Sequence, residues 1–354
     1  MTAVRPRTLA ILSGGALGGL AVLLTLAGNP KNTGLCISCF LGNLAGSLHL
    51  FTEGRMSYPR PELMGLVLGA FAAATLAGGF RARTTRAPLS VILAAAAVIV
   101  GCEVFIGCPI KLVLRLAAGD LTSWAGAAGL VVGVGLGSRL LLDGWELERT
   151  PGGWGPLPYL ATAATLALAG ATYLRPAFMA FGATGPATRH APLALSLGAG
   201  LVLGALAQRS GFCVTGALRN VLLAREGTLL AGLGAFLAAA FAAAVLGGTF
   251  HLGYYDQPGV HPDALWNFLG MFLAGLGSVY LGGCPFRQLV LSGTGDTAAG
   301  LAVASMLVTA ALTRTLGIAS TADGPTWAGK VALLAGLCLL LGTAGKGAES
   351  VPGV

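Results

Sequence analysis

Seven cysteines occur in 354 residues, and four of them stand in matching places of a chain that reads as one unit used twice. Gly107-Cys108-Pro109 returns as Gly283-Cys284-Pro285, and a Gly-Asp step follows twelve residues after each cysteine, at Asp120 and Asp296. The offset that carries Cys108 to Cys284 also carries Gly34-Leu35-Cys36 near Gly211-Phe212-Cys213, with Asn43 and Asn220 seven residues past each cysteine. Two coincidences at nearly the same offset among so few cysteines point to an internal repeat. Shared ancestry of two copies would also keep idle cysteines in register, so the spacing marks candidates and does not by itself assign work to them.

The chemistry these residues offer is that of a thiol at a helix start. Proline suits the first helical position, where its missing N–H costs nothing, and this puts Cys108 and Cys284 at or near an N-cap. The free N–H groups there attract an anion, so a small, soft sulfur or selenium anion is the ligand to expect. Cys36 and Cys39 form Cys-Ile-Ser-Cys; outside a βαβ context this spacing says little about redox work, and one pair cannot complete a zinc site. Four histidines and few inward carboxylates give metal transport poor support. Cys338, alone in the last apolar run, and Cys102, matched by Ser278, read as packing residues. Glu103 falls in an apolar run and is either a path residue or interfacial. Lys111, Arg115 and Arg287 either lend positive potential to a path or snorkel to the surface, and Asp120 and Asp296 read as N-caps of the segments that follow.

The elements that must position these residues are membrane helices. The chain is 55% hydrophobic and 10% charged, with mean hydropathy +0.81, far too apolar for a soluble domain of this length. Ten apolar runs approach the roughly 20 residues needed to cross a hydrocarbon core of about 30 Å. They lie near 8–27, 62–80, 88–106, 124–142, 156–174, 191–208, 228–250, 265–282, 297–318 and 329–345. Unbroken Ala/Leu/Gly/Val composition favours helices over the period-two strands of a barrel. Small-xxx-small steps such as Gly14/Gly18, Gly65/Gly69 and Gly200/Gly204 predict close helix crossings. The first run follows Arg5 and Arg7 as a signal peptide would, but it is long and lacks a small-residue cleavage site, so it reads as a span.

Five spans per copy would turn the second copy upside down relative to the first, giving two inverted five-helix repeats, 1–177 and 178–354, in one membrane domain. Segments 29–51, 107–120, 209–227 and 283–296 are glycine-rich and too short to cross. They read as four re-entrant loops with half-helices, which at membrane depth must line a path or be buried by protein. Of 21 basic residues, twelve fall on the side of the N-terminus and nine on the other, so both termini are expected in the cytoplasm. The net charge of +8 is scattered over short loops and forms no nucleic-acid face.

Several blocks then resemble the YeeE/YedE membrane proteins: Gly28-Asn29-Pro30-Lys31-Asn32-Thr33-Gly34-Leu35-Cys36-Ile37-Ser38-Cys39-Phe40, Tyr58-Pro59-Arg60-Pro61-Glu62, Gly107-Cys108-Pro109, Leu114-Arg115-Leu116-Ala117-Ala118-Gly119-Asp120 and Gln208-Arg209-Ser210-Gly211-Phe212-Cys213. The resemblance covers nearly the whole chain and is nearest to the YedE-type branch, associated with selenium import, while other members take up thiosulfate. It departs from that branch at Thr33 and Gly42. The resemblance implies an hourglass-shaped inner-membrane transporter whose cysteines pass the substrate through a narrow waist. It carries path roles onto Cys36, Cys108 and Cys284; repeat symmetry adds Cys213, and Cys39 follows from its place beside Cys36. Lys31, Asn43, Asn220, Lys111, Arg287 and Glu103 are supporting candidates. A cytoplasmic sulfur- or selenium-carrier protein is the partner it suggests.

The expected function is import of a small selenium- or sulfur-containing anion, with no enzyme activity, cofactor or metal. No Gly-x-x-x-x-Gly-Lys-Ser/Thr is present to bind ATP phosphates. The alternative is a membrane thiol-disulfide oxidoreductase relaying reducing equivalents through paired cysteines; an ungated anion pore is a third reading.

Overall fold

A computed structural model describes residues 5–152 and 155–347. Most of the chain is helical. Its first half gives α1 (Pro6–Leu26), α2 (Ile37–Ser47), α3 (Pro61–Leu76), α4 (Pro88–Phe105), α5 (Pro109–Ala117), α6 (Ser123–Leu142) and α7 (Leu157–Leu174). The second gives α8 (Leu193–Ser210), α9 (Val214–Ala224), α10 (Thr228–Leu246), α11 (Ala264–Tyr280), α12 (Pro285–Ser292), α13 (Thr297–Thr315) and α14 (Trp327–Gly347). Among the described residues, nine helical stretches are long and apolar enough to cross a membrane, where the sequence led us to expect ten spans. The difference is α3. It runs 16 residues, about 24 Å at 1.5 Å per residue, and stops at Leu76 because Gly78, at φ +64°, turns the chain out of the helix.

The closest crossings lie at the small-residue steps. A Cβ at Gly18 of α1 would meet the Phe236 carbonyl of α10 at 2.5 Å, and one at Gly200 of α8 would meet the Glu62 carbonyl of α3 at the same distance. Backbone-to-backbone approach of this kind supplies the dispersion contacts that lipid, itself apolar, cannot replace by a hydrophobic drive. The major packing pairs are α1 on α10, α3 on α8, α6 on α11 and α4 on α13, with α4 on α11 at the centre. Helices of one half therefore pack chiefly on helices of the other.

Loops gather at two ends. At one, Arg81 N–H donates to the Thr294 carbonyl (3.0 Å), Arg83 N–H to Gly295 (3.2 Å), and the two-residue strands β1 (Arg83–Thr84) and β2 (Thr150–Pro151) pair antiparallel. At the other, Gly182 N–H donates to the Ser57 carbonyl (2.7 Å), His251 N–H to Ala118 (2.8 Å), and Asn32 Nδ2 to Gln257 Oε1 (3.0 Å). The four short helices α2, α5, α9 and α12 hang between these ends; α2, α5 and α12 bury most of their side chains, and α9 buries only its first turn, Val214 to Ala217.

Candidate functional site

Each short helix with a cysteine at its start repeats one local design. Cys36, Cys108, Cys213 and Cys284 are the N-cap residues of α2, α5, α9 and α12, all in extended backbone conformation. In α5 and α12 the following proline takes the first helical position, as its fixed φ favours. All four cysteines are buried in one apolar core, none more than 3% exposed.

The thiols meet in two clusters. In the first, Cys36 Sγ lies 2.9 Å from Cys39 Sγ and 3.5 Å from Ser38 Oγ, while Cys108 Sγ accepts the Ile37 backbone N–H at 3.3 Å. The Cys108 sulfur of α5 thus faces the first N–H of α2. In the second, Cys213 Sγ lies 3.3 Å from Cys284 Sγ and accepts N–H groups from Cys284 and Gly216, both at 3.4 Å. Thr215 Oγ1 stands 3.2 Å from Cys213 Sγ, in the place that Ser38 holds beside Cys36. A hydroxyl two residues after each of these cysteines was readable from the repeat and escaped the sequence reading. The arrangement gathers thiols and helix-start N–H groups that already point at sulfur, which are the donors a soft sulfur or selenium atom would use.

Cations flank both clusters. A Cβ at Gly107 would meet Lys111 Cδ at 2.7 Å, and one at Gly283 would meet Arg287 Cγ at 2.7 Å. The glycine of each Gly-Cys-Pro is the space over which a cationic side chain folds back. Lys111 is buried, and its Nζ donates to the Gly259 carbonyl at 2.9 Å; Arg287 is half-buried and donates to the Ala207 carbonyl at 3.1 Å. Neither has a carboxylate within 4.0 Å among the described residues. A buried charge without a counter-charge is costly, and a passing anion would relieve that cost.

Arg115 differs. Its Nε lies 2.6 Å from Asp120 Oδ2, Nη1 donates to the Phe105 carbonyl, Nη2 to Thr122 Oγ1, and the guanidinium sits 4.1 Å over the Phe105 ring. It therefore neither snorkels nor offers free charge; it ties the end of α4 to α5. Asp120 keeps part of its expected capping role: Oδ2 pairs with Arg115, while Oδ1 accepts the Thr122 N–H at 2.9 Å in the turn that enters α6; Asp296 caps α13 by accepting the Ala299 N–H at 2.9 Å. Glu103 is buried rather than interfacial, paired with Arg314 of α13 at 2.9 Å. Cys338 is exposed on α14 rather than packed inside, while Cys102 is fully buried.

The other supporting candidates separate. Asn43 is buried, donating to the Met56 carbonyl (2.7 Å) and accepting from Arg60 Nε (2.8 Å). Asn220 instead sits half-buried between Arg219 and Glu226. Lys31 is exposed, because its loop runs outward before turning in at Thr33. The sequence reading passed over Arg60 and Glu62 as site residues. Arg60, 1% exposed and at φ +51° before Pro61, donates to Asn43, Asn29 and the Pro186 and Arg189 carbonyls. Four hydrogen bonds hold it in a backbone region that a non-glycine residue before proline avoids. An arginine set between two prolines in so apolar a chain was the available signal. An apolar cavity of about 690 Å³ between α7 and α13 is lined by none of the thiols. Among the described residues no three His, Cys, Asp or Glu side chains gather as metal ligands.

Residues 209–337 match the family model described as Sulphur transport. The match takes in Cys213, Cys284 and both short helices they start. No curated protein matches the chain. Together with the nine apolar helices, the match supports a multi-pass membrane transporter of sulfur compounds.

Proposed function

We propose that the chain imports a small sulfur- or selenium-containing oxyanion along a path on which the Cys36/Cys39/Cys108 cluster and the Cys213/Cys284 cluster successively hold the terminal sulfur or selenium. The observation that carries this reading is the fourfold repetition of a buried cysteine at the start of a short helix, gathered two by two. Thiol S–H groups donate to the soft atom while helix N–H groups and the flanking Lys111 and Arg287 balance the charge.

The same reading takes the chain as two inverted repeats, 1–177 and 178–354, with α2, α5, α9 and α12 as half-helices of re-entrant loops. Support comes from the exchanged packing: α1 on α10 is the counterpart of α3 on α8, and α6 on α11 of α13 on α4. Location in the inner membrane with both termini cytoplasmic, and delivery to a cytoplasmic carrier protein, complete the proposal. A disulfide relay finds less support, since it needs sulfurs that a protein partner reaches, and four of the five clustered cysteines are buried.

The test is uptake of labelled thiosulfate, selenite and a selenium-containing thiosulfate analogue into cells lacking other routes. Saturable uptake of one of these above the vector control supports the reading; no uptake of any, with the protein present in the membrane, removes it.

A further inference from the structure

At the end of the bundle where β1 and β2 pair, a pocket of about 140 Å³ is lined by Arg81, Arg83, Arg287, Gln208, Thr294 and Asp296. A water occupies about 30 Å³ in the liquid, so the pocket has room for a tetrahedral anion of five heavy atoms. Its charge is unbalanced. The one carboxylate present, Asp296, has Oδ2 3.0 Å from Arg149 Nη1 and Oδ1 on the Ala299 N–H, so it is already neutralised from outside the pocket. Among the described residues no carboxylate lies within 4.0 Å of Arg81, Arg83 or Arg287. Gln208 Oε1 is buried without a partner, and an amide turned over would present its N–H donors there instead. Arg287 joins this pocket to the thiols, since it lies one helical turn beyond Cys284 and folds back over Gly283.

We propose that this pocket is a second, thiol-free binding station for a small divalent tetrahedral oxyanion, at the mouth of the path next to the Cys213/Cys284 cluster. Arg81 and Arg83 hold the oxygens, and Arg287 passes the anion between them and Cys284. Naming the ligand as the transported species rests on the transport reading above; the pocket's preference for an oxyanion does not need the thiols. The station selects by charge and shape alone, leaving choice of the soft atom to the cysteines. The other end differs: there Lys111 is covered by the Gly259 loop, and the small pocket beside Asn32 and Thr33 is lined by no cation.

Sulfate separates the two sites, because it offers oxygens but no soft sulfur atom to a thiol. The full chain in nanodiscs of neutral phosphatidylcholine is titrated calorimetrically with sulfate and with thiosulfate at low ionic strength. Each charge-assisted contact is worth about a factor of ten, so R287Q and the R81Q/R83Q pair should each raise the sulfate Kd about ten-fold or more. R81K/R83K should keep most of the affinity and so exclude misfolding. C284A should bind sulfate as the parent chain does while losing thiosulfate uptake. Unchanged sulfate affinity in R81Q/R83Q would overturn the proposal. So would failure of the parent chain to bind sulfate in neutral discs together with retention of phosphatidylglycerol in mixed discs, since the pocket would then hold a lipid headgroup. If C284A kept full uptake while the arginine variants lost sulfate binding, the thiol path would fall and the oxyanion pocket would stand.

Discussion

Asp120 and Asp296 occupy matching places in the two halves, and their replacement by asparagine should cost very different amounts. Asp120 meets Arg115 at 2.6 Å with both side chains fully buried. At an effective dielectric near 20, two charges about 4 Å apart attract by about 4 kcal/mol, and the desolvation already spent on burying Arg115 is not recovered when its partner goes. Removing one partner of such a pair typically costs about 3–5 kcal/mol. Asp296 is equally buried, but its partner Arg149 is 20% exposed and also donates to the Leu281 carbonyl at 2.8 Å. Water screens that guanidinium when the carboxylate is gone, so D296N should cost about 1–2 kcal/mol, much of it the lost N-cap of α13. The position matching Arg115 is Leu291, so no arginine of α12 is left stranded. Thermal unfolding in detergent, followed by the folded fraction on size-exclusion chromatography, reads the difference. D120N should lower the midpoint several times more than D296N. Equal shifts, or a D120N shift no larger than that of an exposed control such as D323N, would refute the reasoning about buried charge at the α4–α5 junction.

Further outcomes follow from the same geometry. Gly283→Ala should cost about 1–3 kcal/mol by overpacking and should lower uptake beyond any loss of folded protein, because its Cβ would fall 2.7 Å from Arg287 Cγ and drive that cation from its place. Gly107→Ala should do the same to Lys111, and retained uptake at full expression in both variants would show that the cations are not needed. A small permeant oxidant such as diamide should block uptake reversibly by joining Cys36 to Cys39 or Cys213 to Cys284, with two electrons passing to the diazene and recovery on adding dithiothreitol. Uptake indifferent to diamide, with the disulfides verified by mass spectrometry, would count against the thiol path. E103Q should weaken the tie between α4 and α13 by about 1–3 kcal/mol in the same unfolding assay, since Arg314 Nη2 loses a carboxylate at 2.9 Å.

Much of this was legible in the chain. Hydropathy placed the long helices to within a few residues because lipid demands a continuous apolar run whatever the tertiary packing. Gly-Cys-Pro located the starts of α5 and α12 because proline's missing N–H and fixed φ tolerate few other places in a helix. Which sulfurs meet was not legible. Cys108 reaches the first N–H of α2 across 71 residues, and periodicity carries no information about contacts between elements. The partner of Asp120 was hidden for a related reason: a carboxylate at a helix entry can accept a backbone N–H and pair with an arginine at once, and nothing in the local pattern shows that Arg115 arrives. Arg60 was overlooked because a proline-flanked arginine reads as a surface loop, whereas here the linker between α7 and α8 folds over it.

The most direct test of the account is transport of labelled substrate into proteoliposomes by the parent chain and by C36A, C108A, C213A and C284A, each reconstituted at equal, verified amounts. The account predicts that each single alanine lowers the initial rate at least about ten-fold, with C338A, whose thiol is exposed on α14, transporting as the parent does. Undiminished transport in C108A and C284A would contradict it.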